Sequence, residues 1–315
     1  SSFKPFIYSA ALEKGLSPAT MINDAPLFYG ASVTGGQPWE PRNYDNRFEG
    51  PMSARTAMAK SRNIPLIRIL EYVTPKFAQE WVTHFGFDAN RHPAYLTMAL
   101  GAGSVTPMQM ATAYSVFANG GYRVNPWLIA KITDHKGRVL SEHKPKPLEQ
   151  QQRVIDPRNA FVMNSLLQTV TKSGTAARAQ STLKRTDLYG KTGTTNDAVD
   201  AWFAGFQPTL TAITWIGYDN PRNLGSRETG GGLSLPIWIN FMQHALKDVP
   251  VASYPVPSGL VNMGGEWFYD EFTGSAGLTG LGMESSYGSA TSNSDGSTEA
   301  PPAEERSRIL DLFRD

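Results

Sequence analysis

The chain has 315 residues, with 29 Lys+Arg against 28 Asp+Glu, five His and no Cys, for a formal charge of +1. So even a balance provides no global field for a polyanion, which excludes a strongly basic nucleic-acid binder. The missing Cys excludes disulfides, thiolate metal sites, iron–sulfur ligation and thiol nucleophiles without fixing the compartment, and a 40% apolar fraction supplies a core for one large or two small domains.

Residues 1–14 are apolar at Phe3, Phe6, Ile7, Ala10, Ala11 and Leu12 and are followed by Gly15, which predicts a buried helix closed by a glycine cap. Residues 24–51 carry many Gly, Pro, Asn and Asp and read as loop. Helices are expected over 52–60, 64–73 and 75–85, the last with Pro75 near its start and Gly86 as its stop, and over 106–119, which opens on Thr106-Pro107 and closes on Asn119-Gly120-Gly121. The pattern then changes. Residues 127–133 and 138–141 suggest a hairpin around Asp134-His135-Lys136-Gly137, and 156–171 a helix with an Asp-Pro start. Residues 189–194, 201–206 and 211–218 read as three strands of one antiparallel sheet, and 235–247 as a last amphipathic helix. The sum is an α+β body over residues 1–250, with a helical lobe and a sheet lobe.

Residues 201–218 are uncharged, but Gln207, Pro208, three Thr and two Gly make them two strands and a turn rather than a membrane span. There is no signal peptide and no initiator Met, and the abrupt start suggests a fragment whose N-terminal part lies outside the sequence. Residues 251–273 read as a C-terminal extension and 274–303, rich in Gly, Ser and Thr, as a disordered linker. Residues 304–315 form a short amphipathic tail with Ile309, Leu310, Leu312 and Phe313 on one stripe. No internal repeat is found.

Three short motifs carry chemistry. In S-x-x-K, serine and lysine one helical turn apart face the same side, so a neutral amine can take the hydroxyl proton. Ser1/Lys4, Ser141/Lys144 and Ser181/Lys184 all match. Only the first opens an apolar helix: Pro145 and Pro147 bar a helix after Ser141, and Ser181/Lys184 lies in a polar connector. S-x-N occurs at Ser61-Arg62-Asn63, where a hydroxyl could relay a proton and a carboxamide could hold a peptide backbone; an ordinary cap or turn is its simpler use. K-[ST]-G occurs twice. Lys172-Ser173-Gly174 ends a helix as a common cap, whereas Lys191-Thr192-Gly193-Thr194-Thr195 precedes two strands and suits a carboxylate-ended peptide lying along a sheet edge. Glycine at 193 permits close approach of the substrate backbone. This general triplet characterises class A β-lactamases and penicillin-binding proteins.

The resemblance extends further. Ser1-Ser2-Phe3-Lys4-Pro5-Phe6, Ser61-Arg62-Asn63, Gly174-Thr175-Ala176, Lys191-Thr192-Gly193-Thr194-Thr195-Asn196 and Asp200-Ala201-Trp202-Phe203-Ala204-Gly205-Phe206 resemble the transpeptidase domain of a class A penicillin-binding protein over roughly residues 1–250. The resemblance implies a penicillin-binding/serine β-lactamase-like fold with its first sheet strands missing, and a serine D,D-transpeptidase that cross-links peptidoglycan. Ser1 would attack the carbonyl between the terminal D-alanines of a stem peptide. Lys4 would be the base, and Ser61 would pass the proton to the leaving amine. Asn63 would hold the donor peptide and help fix Lys4. Lys191 would keep the site positive and Lys4 neutral, while Thr192 and Thr194 bind the terminal carboxylate. The backbone N–H groups of Ser1 and Thr194 would form the oxyanion hole. No metal or other cofactor is implied.

The implied partners are stem peptides of a lipid-linked precursor and nascent glycan, β-lactams, which would trap Ser1, and cell-wall synthesis proteins. No nucleic acid is implied, and the membrane is reached only through an N-terminal anchor absent from this sequence. The implied location is the bacterial inner membrane, with the domain on the periplasmic, cell-wall side. The parent is expected to carry a glycosyltransferase as well, and this piece to be inactive or poorly stable alone. Three alternatives stay open: a serine β-lactamase, a penicillin-sensing receptor domain, and an N-terminal nucleophile using the amine of Ser1. For the β-lactamase, Glu71, Glu80, Glu142 and Glu149 are acids between the second and third motifs, none in an E-x-x-L-N context. His84, His92, His135, His143 and His244 show no metal spacing. Asp197 and Asp200 read as loop anchors. Trp202, Phe203, Phe206, Met110, Tyr114 and Phe117 read as core, and Arg123 and Arg222 as solvated.

Overall fold

A computed structural model describes residues 1–34, 36–147, 152–226 and 228–283. Its first helix, α1 (Lys4–Leu12), carries Pro5 in the first turn, where a missing N–H costs no hydrogen bond, and all nine of its residues are buried. A helix with no polar face belongs at the centre of a core. Phe6 accordingly sits among Phe3, Phe85, Phe87, Tyr114 and Phe117, with ring centroids 4.9–5.6 Å away. Burying one such ring stabilises the fold by about 1.5–3 kcal/mol.

Next come β1 (Met21–Asp24), α2 (Ala31–Thr34), β2 (Gly50–Ser53), α3 (Ala54–Ala59), α4 (Asn63–Val73), α5 (Pro75–Val82) and α6 (Pro107–Ala118). The two strands pair antiparallel, Met21 opposite Ser53 and Asp24 opposite Gly50, within the stretch expected as loop and at its edges. Four-residue strands are too short to show an alternation in the sequence. Pairing also moves the start of α3 from the expected residue 52 to Ala54. Ser53 is extended, and its hydroxyl accepts the Thr56 N–H as the helix cap. The helix expected over 75–85 divides into α5 and a tighter turn, Thr83–Phe85, closed by Gly86 at φ +91°. α6 opens with a reciprocal cap between Thr106 and Gln109.

The second half contributes an exposed hairpin, β3 (Lys131–Thr133) and β4 (Val139–Glu142), then α7 (Pro157–Ser173) and α8 (Arg178–Leu183). β5 (Tyr189–Thr194), β6 (Ala201–Gln207) and β7 (Leu210–Ile216) form the expected antiparallel sheet in the order β5-β6-β7, with Lys191 opposite Ala204 and Gly193 opposite Trp202. Phe203 and Phe206 are fully buried, and α9 (Leu235–Ala245) brings Trp238 edge-on to Phe203 at 4.9 Å. The described residues make an α+β fold, with helices around α1 and the β5-β6-β7 sheet beside them.

The segment after residue 250 holds β8 (Leu260–Met263), β9 (Glu266–Tyr269) and β10 (Gly280–Leu281). Arg55 of α3 reaches Glu266 at 2.6 Å, and β10 pairs parallel with β1, Met21 opposite Gly280. Leu278 N–H donates to the Gly15 carbonyl at 2.9 Å, and the Thr20 hydroxyl to the Leu278 carbonyl at 2.7 Å. Disorder from residue 274 is therefore corrected as far as residue 283. The ordering comes from backbone pairing, to which a Gly- and Thr-rich composition is blind. The rest of the expected linker and the 304–315 tail lie outside the described residues. Among the described residues no helix is long and apolar enough to cross a membrane.

Candidate active site

Lys4 leaves the first turn of α1 and is 1% exposed. Its Nζ donates to the Ser61 carbonyl at 2.6 Å, to Asn63 Oδ1 at 2.7 Å and to the Arg62 carbonyl at 3.2 Å, and lies 3.4 Å from Ser61 Oγ. The S-x-N loop thus cradles the lysine of S-x-x-K across 57 residues of chain. Ser61 has φ +57°, a left-handed conformation costly for a residue with a Cβ. This turn, between the end of α3 and the start of α4, places the Ser61 carbonyl and hydroxyl on the amine.

Lys191 approaches from β5. Fully buried, it donates to Ser61 Oγ at 2.6 Å and to the Thr192 carbonyl at 3.0 Å. Ser61 therefore stands between two amines, one from each lobe. The strand also abuts the N-terminus of α1: a Cβ added at Gly193 would lie 3.0 Å from both the nitrogen and the Oγ of Ser2. The buried Tyr114 hydroxyl donates to the Ser2 carbonyl at 2.6 Å and holds this end of the chain from α6. Ser1 itself is half-buried, and its carbonyl accepts the Lys4 N–H at 3.2 Å. One cluster thus gathers Ser1, Lys4, Ser61, Asn63, Lys191 and Gly193. Thr192 and Thr194 continue it along β5. Thr192 Oγ1 lies 2.7 Å from Thr175 Oγ1, and Thr194 Oγ1 accepts the Gly230 N–H at 3.1 Å.

Burial is the main reason that the Lys4 amine is held well below its ordinary value; the charges of Lys191 and then Arg62 add to it. Burial likewise brings Lys191 down from 10.5 to about 7. The expectation that the Lys191 charge keeps Lys4 neutral is thus refined. Desolvation comes first, the neighbouring charge second, and Lys191 itself titrates near neutrality. The amine of Ser1 is also held well below its usual value by burial and by the same two lysines.

The other motif matches lie apart from this cluster. Ser141 sits on exposed β4, and Lys184 follows α8 in a left-handed turn. Lys172-Ser173-Gly174 ends α7, but Gly174 does not adopt the left-handed conformation of a common glycine cap. It is needed for proximity: a Cβ there would fall 2.5 Å from the Ala59 carbonyl oxygen, which accepts the Thr175 N–H at 3.0 Å. Sequence reasoning missed Thr175 as the partner of Thr192, and it missed the side chains that hold the S-x-N loop. Arg62, 6% exposed, joins Asp24 at 2.9 Å, Asp45 at 2.9 Å and Glu49 at 3.1 Å. Asn43 Oδ1 accepts the Asn63 and Ile64 N–H groups at 2.9 and 3.3 Å. The only available signal was the density of Asn and Asp over 43–46, which reads equally well as turn chemistry.

A family model described as the penicillin binding protein transpeptidase domain matches residues 1–243. Penicillin-binding protein 1A of Neisseria flavescens is 45% identical over 272 residues, covering 86% of this chain and 34% of that protein. Penicillin-binding protein 1A of Pseudomonas aeruginosa is 41% identical over 309 residues, covering 84% of this chain and 37% of that protein. The chain thus spans about a third of the length of these curated relatives. The crystal structure of penicillin-binding protein 1A from Haemophilus influenzae superposes with a TM-score of 0.81 at 35% identity, over 85% of this chain and 47% of that one. PonA1 from Mycobacterium tuberculosis, at 23% identity and a TM-score of 0.71 over 84% of this chain and 72% of that one, shares the fold.

Proposed function

This chain belongs to the penicillin-binding protein transpeptidase family, and from that membership and the joint cradle of Lys4 and Ser61 we propose that it is a serine D,D-transpeptidase acting on peptidoglycan stem peptides. The observation that carries the reading is Ser61 held between two buried, weakly basic amines, one a helical turn from Ser1 and the other on the sheet edge.

Ser1 Oγ attacks the penultimate D-alanyl carbonyl while Lys4 Nζ takes its proton. A neutral amine needs only two acceptors for its N–H bonds, and Asn63 Oδ1 and the Ser61 carbonyl, the two shortest contacts, provide them. Its lone pair is then free for the Ser1 hydroxyl. The N–H groups of Ser1 and Thr194 stabilise the tetrahedral oxyanion. Collapse breaks the C–N bond. Ser61 hands its proton to the departing D-alanine nitrogen and recovers one from the Lys4 ammonium, so a Ser1 ester remains. The amine of a second stem peptide attacks that ester, the C–O bond breaks, and Ser1 Oγ regains its proton.

Thr192, Thr194 and Lys191 engage the terminal carboxylate. Asn63 spends one N–H on the Arg42 carbonyl at 2.9 Å, which leaves the second for the donor peptide. β-Lactams acylate the same hydroxyl. The parent protein is placed by this reading in the bacterial inner membrane, with the domain on the periplasmic side. Its glycosyltransferase, its lipid-linked precursor and glycan substrates and its cell-wall partners belong to the same proposal.

Incubation with a D-alanyl-D-alanine peptide and an acceptor amine, followed by mass spectrometry, tests the reading. Transpeptidation yields the aminolysed peptide and a long-lived penicillin adduct. Rapid penicilloate release would mark a β-lactamase, and a stable adduct with no peptide turnover a sensor. Glu71, Glu80 and Glu142 are exposed, and Glu80 is engaged by Lys76; Glu149 lies outside the described residues.

A further inference from the structure

We propose that Asn43 is a positioning residue for the proton-transfer centre: by bridging the Asp24 carboxylate to the first turn of α4, it fixes the direction in which Asn63 presents its amide oxygen to Lys4. This inference rests on the transpeptidase reading above and extends it to a residue outside the three motifs.

The hydrogen bonds leave Asn43 one orientation. Its Nδ2 donates to Asp24 Oδ1 and to the Arg47 carbonyl, both at 2.7 Å, and both partners only accept. Its Oδ1 must therefore face the other way, where it takes the first two free N–H groups of α4, those of Asn63 and Ile64. The same logic runs one step on. Asn63 Nδ2 faces the Arg42 carbonyl, next to Asn43 in the chain, so Asn63 Oδ1 must face Lys4. Each carboxamide is locked by acceptors at one end and donors at the other. Asn43 is 3% exposed and Asp24 fully buried, so water does not replace either partner.

The charged groups around Asn43 are Asp24, Arg62, Asp45 and Glu49, with Arg62 drawing all three carboxylates onto the loop. Those around Lys4 are Lys191, Arg62 and the amine of Ser1. A carboxylate in place of the Asn43 carboxamide keeps the acceptor toward α4 but turns the donor toward Asp24 into a second acceptor. It also adds a negative charge one hydrogen-bonded residue away from Lys4, which favours the ammonium.

The test measures acylation by a fluorescent penicillin against probe concentration and pH, for wild type, Asn43→Ala, Asn43→Asp and Asn43→Asp/Asp24→Asn, with guanidinium unfolding to confirm folding. Asn43→Ala is expected to lower the saturating acylation rate by about tenfold or more and, because Asn63 also holds the donor peptide, to raise the half-saturating concentration by a smaller factor. In Asn43→Asp the acid limb of the rate moves to higher pH, and Asp24→Asn in the same chain moves it part of the way back by restoring a donor. A folded Asn43→Ala with the wild-type rate and pH profile overturns the proposal, as does a raised half-saturating concentration at unchanged rate. Should Asn43→Ala fail to fold, an unshifted acid limb in Asn43→Asp overturns it. Label that survives Ser1→Ala refutes the transpeptidase reading itself, independently of Asn43.

Discussion

Raising the pH from 7 to 8.5 should stabilise this protein, and the buried Lys191 amine is one reason. In the unfolded chain its amine titrates at 10.5; in the native site burial brings it to about 7. Between those values the unfolded state holds a proton that the native state lacks, so unfolding becomes harder as pH rises. The full penalty, reached well below pH 7, is on the order of 5 kcal/mol, and the part recovered between pH 7 and 8.5 is on the order of 1–2 kcal/mol. Guanidinium titrations of wild type and Lys191→Met at the two pH values isolate this contribution. The wild type should gain on the order of 1–2 kcal/mol more than the variant. Lys4 adds in the same direction, because its amine is lowered partly by the Lys191 charge and relaxes when that charge is removed. Equal gains in the two proteins would refute the placement of Lys191 as a buried amine that titrates near neutrality. Under the proposed function the same titration bears on acylation, which should fall on the acid side as Lys4 gains its proton, and weaken on the alkaline side as Lys191 loses the charge proposed to draw the carboxylate.

Two further outcomes follow from packing and pairing. Gly193→Ala places a methyl 3.0 Å from the nitrogen and hydroxyl of Ser2, so Ser2 and β5 must separate by a few tenths of an ångström; the overpacking is expected to cost about 1–3 kcal/mol, and stopped-flow acylation should slow by about tenfold or more. Unchanged acylation would mean that β5 does not set the site. Glu266→Ala leaves the half-buried Arg55 guanidinium with only Ser165 and Thr169 as partners, and thermal unfolding should show a loss of about 1–3 kcal/mol with acylation retained in the folded fraction. No loss would mean that the β8–β9 hairpin does not brace α3.

The elements legible in the sequence are those whose signal is local. α1 and α6 announce themselves by apolar runs with Pro at the start, and β5, β6 and β7 by length and β-branched or aromatic content. The three motifs likewise point to one cluster, which the cradle of Lys4 brings together across the chain. What stayed hidden depends on partners far away in sequence. β10 is a two-residue strand made by pairing with β1 across more than 250 residues, and no window of composition contains both. Arg62 is only the unassigned middle residue of S-x-N in the sequence; the structure surrounds it with Asp24 and Asp45. Asn43 and Thr175 lie in stretches whose Asn, Asp, Thr and Gly content predicts turns correctly and says nothing about which side chain turns inward. Gly174 is the instructive error: the sequence context of a cap was right, but the reason for glycine is contact with the Ala59 backbone.

The most direct measurement is peptide mapping by mass spectrometry after exposure to a penicillin, on wild type, Ser1→Ala and Lys4→Met. One acyl adduct should appear in the tryptic peptide spanning residues 1–14, vanish in Ser1→Ala, and form at least about a hundredfold more slowly in Lys4→Met, the share expected of a general base. An adduct on Ser61 or elsewhere, or one formed at the wild-type rate without the Lys4 amine, would contradict a Ser1 nucleophile activated from one helical turn away.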